Sequence, residues 1–503
     1  MSNKTRADWE NMIPALNIPH QAIIGGKSVN ATTGKSFDCI SPIDGKVLTS
    51  VVQCGAEDVD RAVQNARQTF DSGVWSNMPP AVRKGKLQKF AKIISDHAEE
   101  LALLETLDMG KPIADSLHVD VSGTVNCINW NAEAIDKVYD EIAPTGPKEL
   151  GLITREPLGV IGAIVPWNFP MLMAAWKLGP AMATGNSIIL KPSEKSPLTA
   201  IRLGELALEA GIPEGVLNVL PGFGAEAGEP LAAHMDVDGL VFTGSTAIGK
   251  HLLSTAALSN MKRTYVECGG KSPNVIFADT PDIEAAADAA ASAIFFNQGE
   301  VCTAASRLLV HSSIKNDFVD LVVKSAGALQ PKHPLEVGEV GSSMGAMVDG
   351  IQTDRVMGYV KAGTDEGADL RCGGNRAEVE DGGFYIEPTI FDNVSNKMKI
   401  ASEEIFGPVL SCISFDDEDE AIKIANDTPY GLAAAVWTSD ITRAHRVARK
   451  IRAGSIWVNY YDGGDMTAPF GGFKQSGNGR DKSLHALDKY TEMKATWINL
   501  GGK

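Results

Sequence analysis

The sequence predicts an α/β protein built around doubly wound parallel sheets, and three observations lead to this prediction. The chain has 503 residues, 44% of them apolar, which is enough for two or three domains. From residue 158 onward, short apolar runs alternate with helical segments. Because parallel strands need crossover helices that cover both faces of the sheet, this alternation predicts parallel sheets with helices on either side.

The amino-terminal hundred residues predict helices rather than a linker. Between residues 87 and 101, apolar side chains recur on one helical face while the other face is charged, which predicts an amphipathic helix. The alternating pattern that follows predicts five strands, at 158–165, 187–190, 216–220, 239–242 and 262–266, with a helix at 200–210. This layout is typical of nucleotide-binding domains.

A second alternating series begins at Pro273. It predicts strands at 274–277 and 307–311 and helices at 283–296 and 315–329. We expect a domain boundary at 268–273, where Gly269 and Gly270 permit a hinge. The last segment, 491–500, predicts a strand with no local partner, so we expect it to pair with a neighbouring subunit.

Charge and composition exclude several functional classes. The chain carries 46 basic and 63 acidic residues, a formal net charge of -17, which disfavours binding to nucleic acid or anionic membranes. No export signal and no run of about 18 apolar residues is visible. The seven cysteines are scattered without a CxxC pair, and the nine histidines are dispersed, so we expect a cytoplasmic protein without a metal site.

Two segments at predicted strand ends suit a nucleotide. Gly244, Ser245 and Gly249 lie between a strand and a helix, where backbone N–H groups and the helix dipole favour pyrophosphate, although a simple glycine turn explains the pattern as well. Lys191 and Glu194 end another strand. Glu194 suits ribose hydroxyls and repels a 2′-phosphate, which favours NAD over NADP, whereas a solvated ion pair is the alternative.

Three residues suit covalent chemistry. Cys302 follows a predicted helix in a polar loop, where a lowered thiol pKa is expected, although any one of seven cysteines is more often structural. Glu267 ends a strand and suits a general base, or it is a solvated strand end. The amide of Asn168 suits an oxyanion contact, with a helix N-cap as the alternative.

Taken together, these motifs resemble the aldehyde dehydrogenase superfamily over almost the whole chain. Seven segments occur in the family's order and approximate spacing: PWNFP at 166–170, KPSE at 191–194, FTGSTAIG at 242–249, ECGGKSP at 267–273, NQGEVC at 297–302, EEIFGP at 403–408 and PFGGFKQSGNGR at 469–480. The resemblance implies an NAD-binding domain (1–140 and 159–268), an α/β catalytic domain (269–480) and a small β oligomerisation element (141–158 and 481–503). A homodimer or homotetramer is implied as well.

The resemblance also implies roles for individual residues. Cys302 would be the nucleophile, Glu267 the base for the thiol or for water, and Asn168 with the Cys302 backbone N–H the oxyanion hole. Thiolate attack, hydride transfer to the nicotinamide and thioester hydrolysis would follow. The implied cofactor is NAD, with NADP less favoured, and its implied contacts are Trp167, Lys191, Glu194, Gly244, Ser245, Gly249, Glu404 and Phe406. One departure is Cys268, which stands where the family usually has an apolar residue.

Within the superfamily, segments 459–467 and 479–487 most resemble bacterial γ-glutamyl-γ-aminobutyraldehyde and related amino- and guanidino-aldehyde dehydrogenases of polyamine catabolism. This resemblance implies an aldehyde tunnel whose expected wall residues are Phe169, Met173, Trp176, Phe296, Val301, Thr303 and Phe470. Asp465, and with it Asp462 or Asp120, would face a cationic substrate end. A loop aspartate bonded to its own backbone is the ordinary alternative.

Three other functions fit part of the pattern. A broad-specificity aliphatic aldehyde dehydrogenase would use the same catalytic residues. A thioester-forming hydrolase would use Cys302 and Glu267 without a nucleotide. A non-catalytic relative would keep the fold alone, which the joint presence of Cys302, Glu267 and Asn168 argues against.

Overall fold

The computed structural model describes residues 4–379 and 382–501. The first three residues of the predicted NAD-binding domain, Glu380 and Asp381 of the predicted catalytic domain, and the last two residues of the predicted oligomerisation element lie outside the described residues. Among the described residues, no helix is both long enough and apolar enough to cross a bilayer.

The described strands run in chain order from β1 to β19. They are β1 (Ala22–Ile24), β2 (Lys27–Val29), β3 (Ser36–Ile40), β4 (Val47–Val52), β5 (Glu141–Ala143), β6 (Glu149–Pro157), β7 (Val160–Ile164), β8 (Ser187–Lys191), β9 (Leu217–Val219), β10 (Gly239–Thr243), β11 (Arg263–Glu267), β12 (Pro273–Ile276), β13 (Arg307–His311), β14 (Asp369–Cys372), β15 (Thr389–Asp392), β16 (Val409–Phe415), β17 (Ala433–Trp437), β18 (Ser455–Val458) and β19 (Thr491–Asn499).

The described α-helices run from α1 to α16. They are α1 (Arg6–Met12), α2 (Ala56–Asp71), α3 (Pro80–Asp96), α4 (Ala98–Met109), α5 (Ile113–Asp115), α6 (Ser122–Ala134), α7 (Pro170–Ala183), α8 (Leu198–Glu209), α9 (Glu229–Ala233), α10 (Thr246–Leu258), α11 (Ile283–Phe295), α12 (Lys315–Ala328), α13 (Gly350–Asp365), α14 (Lys399–Ser402), α15 (Glu418–Asn426) and α16 (Ile441–Lys450).

Two seven-stranded sheets organise the molecule. The first has the order β11-β10-β7-β8-β9-β1-β2, with its five strands from β11 to β9 parallel. The second has the order β14-β15-β16-β13-β12-β17-β18, and only β14 is antiparallel to its neighbour. The predicted α/β class is therefore confirmed, and the predicted strands and helices from residue 158 to residue 329 lie within two residues of those observed. The domain limits stay a prediction.

Each sheet is covered by helices whose apolar faces it buries. The largest hydrophobic cluster joins the first sheet to helices α3, α4, α6, α7 and α8 through residues such as Phe90, Leu104, Ile128, Met182 and Ile188. A second hydrophobic cluster packs the other sheet against its covering helices. Full burial on both faces explains the uninterrupted apolar runs of β7, β8 and β17.

One expectation from the sequence is wrong. The helix predicted over 87–101 is broken at His97, where ψ is 20° and the ring binds the Glu100 carboxylate, so that α3 and α4 pack separately. The carboxyl-terminal strand has a partner in its own chain that is distant in sequence, within the other segment of the predicted oligomerisation element, and its pairing with a neighbouring subunit stays a prediction. β19 pairs antiparallel with β6 along its whole length, from Thr491 opposite Pro157 to Asn499 opposite Glu149, and the third sheet has the order β19-β6-β5. The two strands are more than 330 residues apart in sequence, so no local pattern could reveal the pairing.

Candidate active site

A cavity of about 840 Å³ lies at the carboxyl ends of the parallel strands of the first sheet. Its lining comes from the segments that follow β7, β10 and β11, and from the second sheet's side through residues 296–303, 404–406 and 454–470. The carboxyl edge of a parallel sheet is where ligands of such folds bind. The cavity therefore joins two groups of predicted site residues, those for a nucleotide and those for covalent chemistry.

Cys302 reaches the cavity because the turn after α11 is held in an unusual conformation. Asn297 and Gln298 have φ angles of 47° and 56°, which non-glycine residues rarely adopt. Their buried side-chain amides hold the turn, since Asn297 donates to the Asn168 carbonyl (3.2 Å) and Gln298 to the Ala346 carbonyl (3.0 Å). Cys302 is thereby placed at the cavity wall and is partly exposed to the cavity.

The expectation of a lowered Cys302 pKa is wrong for this structure. Burial raises the pKa of the thiol to about 12, and the negative charges of Glu404, Asp462 and Glu267 act in the same direction. The backbone N–H of Thr303 opposes them only in part. Cys302 is therefore a neutral thiol at pH 7 in the free protein, and it needs a base to become a nucleophile.

Asn168 lies in the turn between β7 and α7 and lines the same cavity as Cys302. Its side-chain NH₂ donates to the Glu300 carbonyl at 2.7 Å, which uses one of two donor hydrogens. The N-cap interpretation is wrong, because α7 begins at Pro170 with Phe169 as its N-cap and without a side-chain capping bond. The amide is fixed, and its second hydrogen is left for a ligand.

Glu267 lies at the end of β11, but its carboxylate does not line the cavity. A Cβ added to Gly471 or Gly479 would lie 2.8 or 2.9 Å from its Oε1, so the carboxylate is covered by that segment. Among the described residues neither oxygen has a hydrogen-bond partner. Burial and the charge of Asp481 raise its pKa well above the ordinary value, against Lys177, Lys489 and Arg480. The solvated strand end is thus excluded, because Glu267 is buried and lies behind the cavity wall that Cys302 lines.

One part of the cavity wall is formed where β10 meets α10. Thr243, Gly244 and Ser245 line it, and Ser245 is the N-cap of this 13-residue helix, with its hydroxyl accepting from the Ile248 N–H. Gly249 lies inside α10, where an added Cβ would be 2.7 Å from the Cys268 sulfur. It therefore permits close helix packing, and the glycine-turn interpretation of this position is wrong. The same contact shows Cys268 packed between helix and cavity.

The middle of the cavity is lined by Glu404, Phe406 and Trp167. Burial raises the pKa of Glu404 to about 7, and its Oε1 accepts a 3.0 Å hydrogen bond from the Gly270 N–H. Gly269 is required for this arrangement, since an added Cβ would lie 2.0 Å from Glu404 Oε2. The Phe406 and Trp167 rings meet edge to face at 5.2 Å.

These features fit a dinucleotide. A helix N-terminus for phosphate, a carboxylate for ribose hydroxyls and an aromatic pair for a planar ring all line one cavity. Lys191 and Glu194 lie at the end of the neighbouring strand β8, outside the cavity lining, with 3.7 Å between ammonium and carboxylate. Their ribose contacts stay a prediction.

The rest of the lining is rich in aromatic residues, and we call this part of the cavity the tunnel. Nine of the ten predicted substrate residues line it: Phe169, Met173, Trp176, Phe296, Val301, Thr303, Asp462, Asp465 and Phe470. Asp120 does not. It is fully buried in an ion pair with Lys111 (2.8 Å), while its neighbour Val119 lines the tunnel, because residues 116–121 form a helical turn that directs neighbouring side chains to different sides.

Several lining residues are absent from the predicted set, among them Trp457, Tyr460 and Lys482. Lys482 lies within a segment that the sequence analysis singled out, but nothing in its spacing indicates that it faces a ligand. Asp465 accepts from the backbone N–H (2.8 Å) and the hydroxyl (2.5 Å) of Thr467, as the ordinary loop-aspartate interpretation expects.

The comparisons agree with this geometry over the whole chain. The aldehyde dehydrogenase family model matches residues 29–496. NADP/NAD-dependent aldehyde dehydrogenase PuuC of Escherichia coli K12 is 51% identical over 494 residues, 98% of each chain. AldA of P. syringae, an indole-3-acetaldehyde dehydrogenase solved with NAD+ and IAA, is 61% identical, with a TM-score of 0.97 over 99% of this chain and 100% of that one. The γ-glutamyl-γ-aminobutyraldehyde dehydrogenase of Burkholderia cenocepacia J2315 is 58% identical, with a TM-score of 0.96 and the same coverage.

The expectations of an α/β oxidoreductase with NAD as its cofactor are confirmed by these matches. From its sequence, its fold and its cavity, this chain belongs to the aldehyde dehydrogenase family.

Proposed function

We propose that this enzyme oxidises a polyamine-derived amino-aldehyde, such as γ-glutamyl-γ-aminobutyraldehyde, to its carboxylate through a thioester on Cys302. The observation that supports this most is a single cavity that is lined by Cys302 and Asn168 and also by the charged side chains of Asp462, Asp465 and Lys482. Family membership alone does not identify the aldehyde. Charged groups in the lining favour amino-aldehydes over simple aliphatic ones.

Cys302 and Asn168 carry the first step. The thiol must lose its proton, and a rotation of the buried Glu267 side chain would bring a carboxylate of raised pKa to accept it. The sulfur then bonds to the aldehyde carbon, and the oxygen becomes an oxyanion. The free amide hydrogen of Asn168 and the Cys302 backbone N–H stabilise that charge.

Bound NAD supplies a hydride acceptor, and its removal of hydride from the carbon leaves a thioester on Cys302. We propose that the N-terminus of α10 holds the pyrophosphate, Lys191 and Glu194 the adenosine ribose, and Glu404 the nicotinamide ribose, with Phe406 and Trp167 beside the ring. Glu194 favours NAD over NADP through its charge. Once Glu267 has released the first proton to solvent, it takes a proton from the water that cleaves the thioester, and it returns this proton to the departing thiolate as the carboxylate is released.

The relatives support two classes of aldehyde. The Burkholderia enzyme is named for γ-glutamyl-γ-aminobutyraldehyde, and charged side chains in the tunnel lining suit that substrate. The P. syringae enzyme is named for indole-3-acetaldehyde, and the aromatic tunnel wall suits a flat apolar group, since Trp176 and Phe470 meet edge to face at 5.0 Å. Indole-3-acetaldehyde is therefore the second candidate.

The test is the initial rate of NADH formation with γ-glutamyl-γ-aminobutyraldehyde, γ-aminobutyraldehyde, indole-3-acetaldehyde and hexanal. We expect the highest kcat/KM for γ-glutamyl-γ-aminobutyraldehyde. Highest kcat/KM for indole-3-acetaldehyde would replace the proposal with the second candidate. Equal values for all four would indicate a broad-specificity enzyme, and thioester hydrolysis undiminished without NAD would indicate a hydrolase.

We further propose a cytoplasmic homodimer or homotetramer assembled through the third sheet. β19 is an outer strand of that sheet, and it exposes Met493, Trp497 and Ile498 to solvent. An apolar exposed edge strand is ready to pair with another chain. The described cysteines are all free, which suits a reducing compartment. Light scattering during size-exclusion chromatography would give the oligomeric state, and Trp497→Arg should shift it toward monomer.

A further inference from the structure

Lys482 is a cavity residue whose ammonium group has no ionic partner. It lines the tunnel, and its Nζ lies 4.9 Å from the Trp176 ring centroid and 5.9 Å from that of Phe470. In the part of the chain that the structure describes, it makes no hydrogen bond and no ion pair. Charged groups are seldom left so in a partly desolvated site unless a ligand completes them.

The backbone conformation at Lys482 is fixed by hydrogen bonds of the residues beside it. Lys482 and Ser483 have φ angles of 59° and 51°, in the left-handed region that non-glycine residues avoid. Two contacts enforce this conformation: Asp481 and Phe470 exchange backbone hydrogen bonds of 2.7 Å, and the Ser483 N–H donates to the Met466 carbonyl at 2.7 Å. Strain maintained beside a ligand cavity is typical of functional positions.

Asp462 is the matching group of opposite charge. It also lines the tunnel, also has a positive φ (54°), and its carboxylate has no hydrogen bond within the described chain. Burial raises the pKa of Asp462, and the charge of Lys482 opposes that shift. The two charges therefore interact electrostatically, although no ion pair between them is present among the described residues.

Two opposite charges that line one cavity without pairing can both be paired by a ligand group that carries a negative and a positive charge. Asp465, the third charged residue here, is less suited, because one oxygen already accepts two hydrogen bonds from Thr467. A purely cationic substrate end would satisfy Asp462 and be repelled by Lys482. An uncharged indole would satisfy neither.

We propose that Lys482 and Asp462 select aldehydes whose far end is an α-amino-acid group, Lys482 binding the carboxylate and Asp462 the ammonium. This inference rests on the proposed function and narrows it from amino-aldehydes in general to those with a zwitterionic end. The aromatic rings of Trp176 and Phe470 keep the lysine stem in place beside the tunnel.

The test compares three aldehydes of the same length. One is γ-glutamyl-γ-aminobutyraldehyde, the second lacks its α-carboxylate, and the third lacks its α-ammonium. In the unaltered enzyme each deletion should lower kcat/KM about tenfold, as expected for one charge contact in a partly solvated site. Using ratios between substrates within one variant removes any general loss of activity.

The carboxylate ratio is kcat/KM for the full substrate divided by kcat/KM for the aldehyde without the α-carboxylate, and the ammonium ratio is defined in the same way for the aldehyde without the α-ammonium. Lys482→Met should reduce the carboxylate ratio to about one and leave the ammonium ratio near ten, whereas Lys482→Arg should keep both near ten. Asp462→Asn should reduce the ammonium ratio to about one and leave the carboxylate ratio near ten. Matched controls are the surface residues Lys361, 74% exposed, and Asp419, 90% exposed, whose Met and Asn variants should change neither ratio.

The outcomes separate the two proposals. Preference for the γ-glutamyl aldehyde over hexanal, with a carboxylate ratio that is unchanged in Lys482→Met, overturns this inference and leaves the proposed function standing. No preference over hexanal in the unaltered enzyme overturns both. If Lys482→Met does not fold, Lys482→Gln takes its place. A carboxylate ratio of about one in the unaltered enzyme overturns the inference by itself. A carboxylate ratio of about ten in the unaltered enzyme that falls to about one in Lys482→Gln supports it.

Discussion

Replacing Gly269 with Ala probes the link between Glu404 and the cofactor. An added Cβ would lie 2.0 Å from Glu404 Oε2 and 2.4 Å from its Cδ, whereas ordinary contact begins at 3.4 Å. The carboxylate must therefore move by more than about 1 Å, given the steric limits of a packed interior. That movement breaks the 3.0 Å hydrogen bond from the Gly270 N–H.

The expected magnitude follows from these two effects. Overpacking costs about 1–3 kcal/mol of unfolding free energy. Loss of a hydrogen bond to a charged group costs about 1.5–3 kcal/mol, so NAD should bind roughly 10- to 100-fold more weakly if Glu404 holds the ribose. Isothermal titration calorimetry with NAD and urea unfolding would measure the two effects separately.

Gly358 provides the matched control. It lies on the exposed side of α13, and an added Cβ there would meet no atom within 4 Å. Gly358→Ala should raise the unfolding free energy by about 0.5–1 kcal/mol through helix propensity and leave the NAD affinity unchanged. A Gly269→Ala enzyme that binds NAD within twofold of the unaltered protein would refute the assignment of Glu404 to the cofactor.

Three further predictions follow from the site. Asn168→Ala should lower kcat about 10²- to 10³-fold, the usual cost of one oxyanion-hole donor, and a smaller loss in steady-state assays would remove Asn168 from that role. Because burial raises the pKa of Cys302 to about 12, its alkylation by iodoacetamide, followed by peptide mass spectrometry, should accelerate up to at least pH 10, and a plateau below pH 8 would contradict this. Burial raises the pKa of Glu404 to about 7, so the folded state holds a proton that the unfolded state has lost above its ordinary value of 4.5. This destabilisation grows between those pH values, and Glu404→Gln should be more stable than the unaltered enzyme by roughly 1–3 kcal/mol at pH 8 but not at pH 4.5, as urea unfolding would show.

Local pattern was sufficient for most elements of the fold. The strands from β7 to β13 and helices α8, α11 and α12 lie close to their predicted bounds, because alternation of apolar runs with amphipathic segments is a short-range property. The predicted helix over 87–101 failed at His97, since both halves are apolar enough to pack and only packing separates them. The register of β19 against β6 could not be predicted from local pattern, because the two strands lie more than 330 residues apart in sequence.

The same distinction between local pattern and long-range packing applies to the active site. The motifs around Cys302, Asn168, Gly244 and Glu404 could be found from residue order, and the fold brings all four residues into one cavity. Their protonation and orientation could not be found, because they depend on how many groups surround each atom. The raised pKa of Cys302 comes from burial and from carboxylates far away in sequence.

Residue order along this chain therefore indicates which chemistry is present, since strand ends, glycine turns and a reactive cysteine are readable one segment at a time. Three-dimensional packing determines which groups meet. It buries the Glu267 carboxylate beneath Gly471 and Gly479, pairs Asp120 with Lys111 outside the cavity, and places Lys482 and Asp462 in the lining of one cavity. Burial and electrostatic interactions act through space, so their effects depend on neighbours that come from distant parts of the chain.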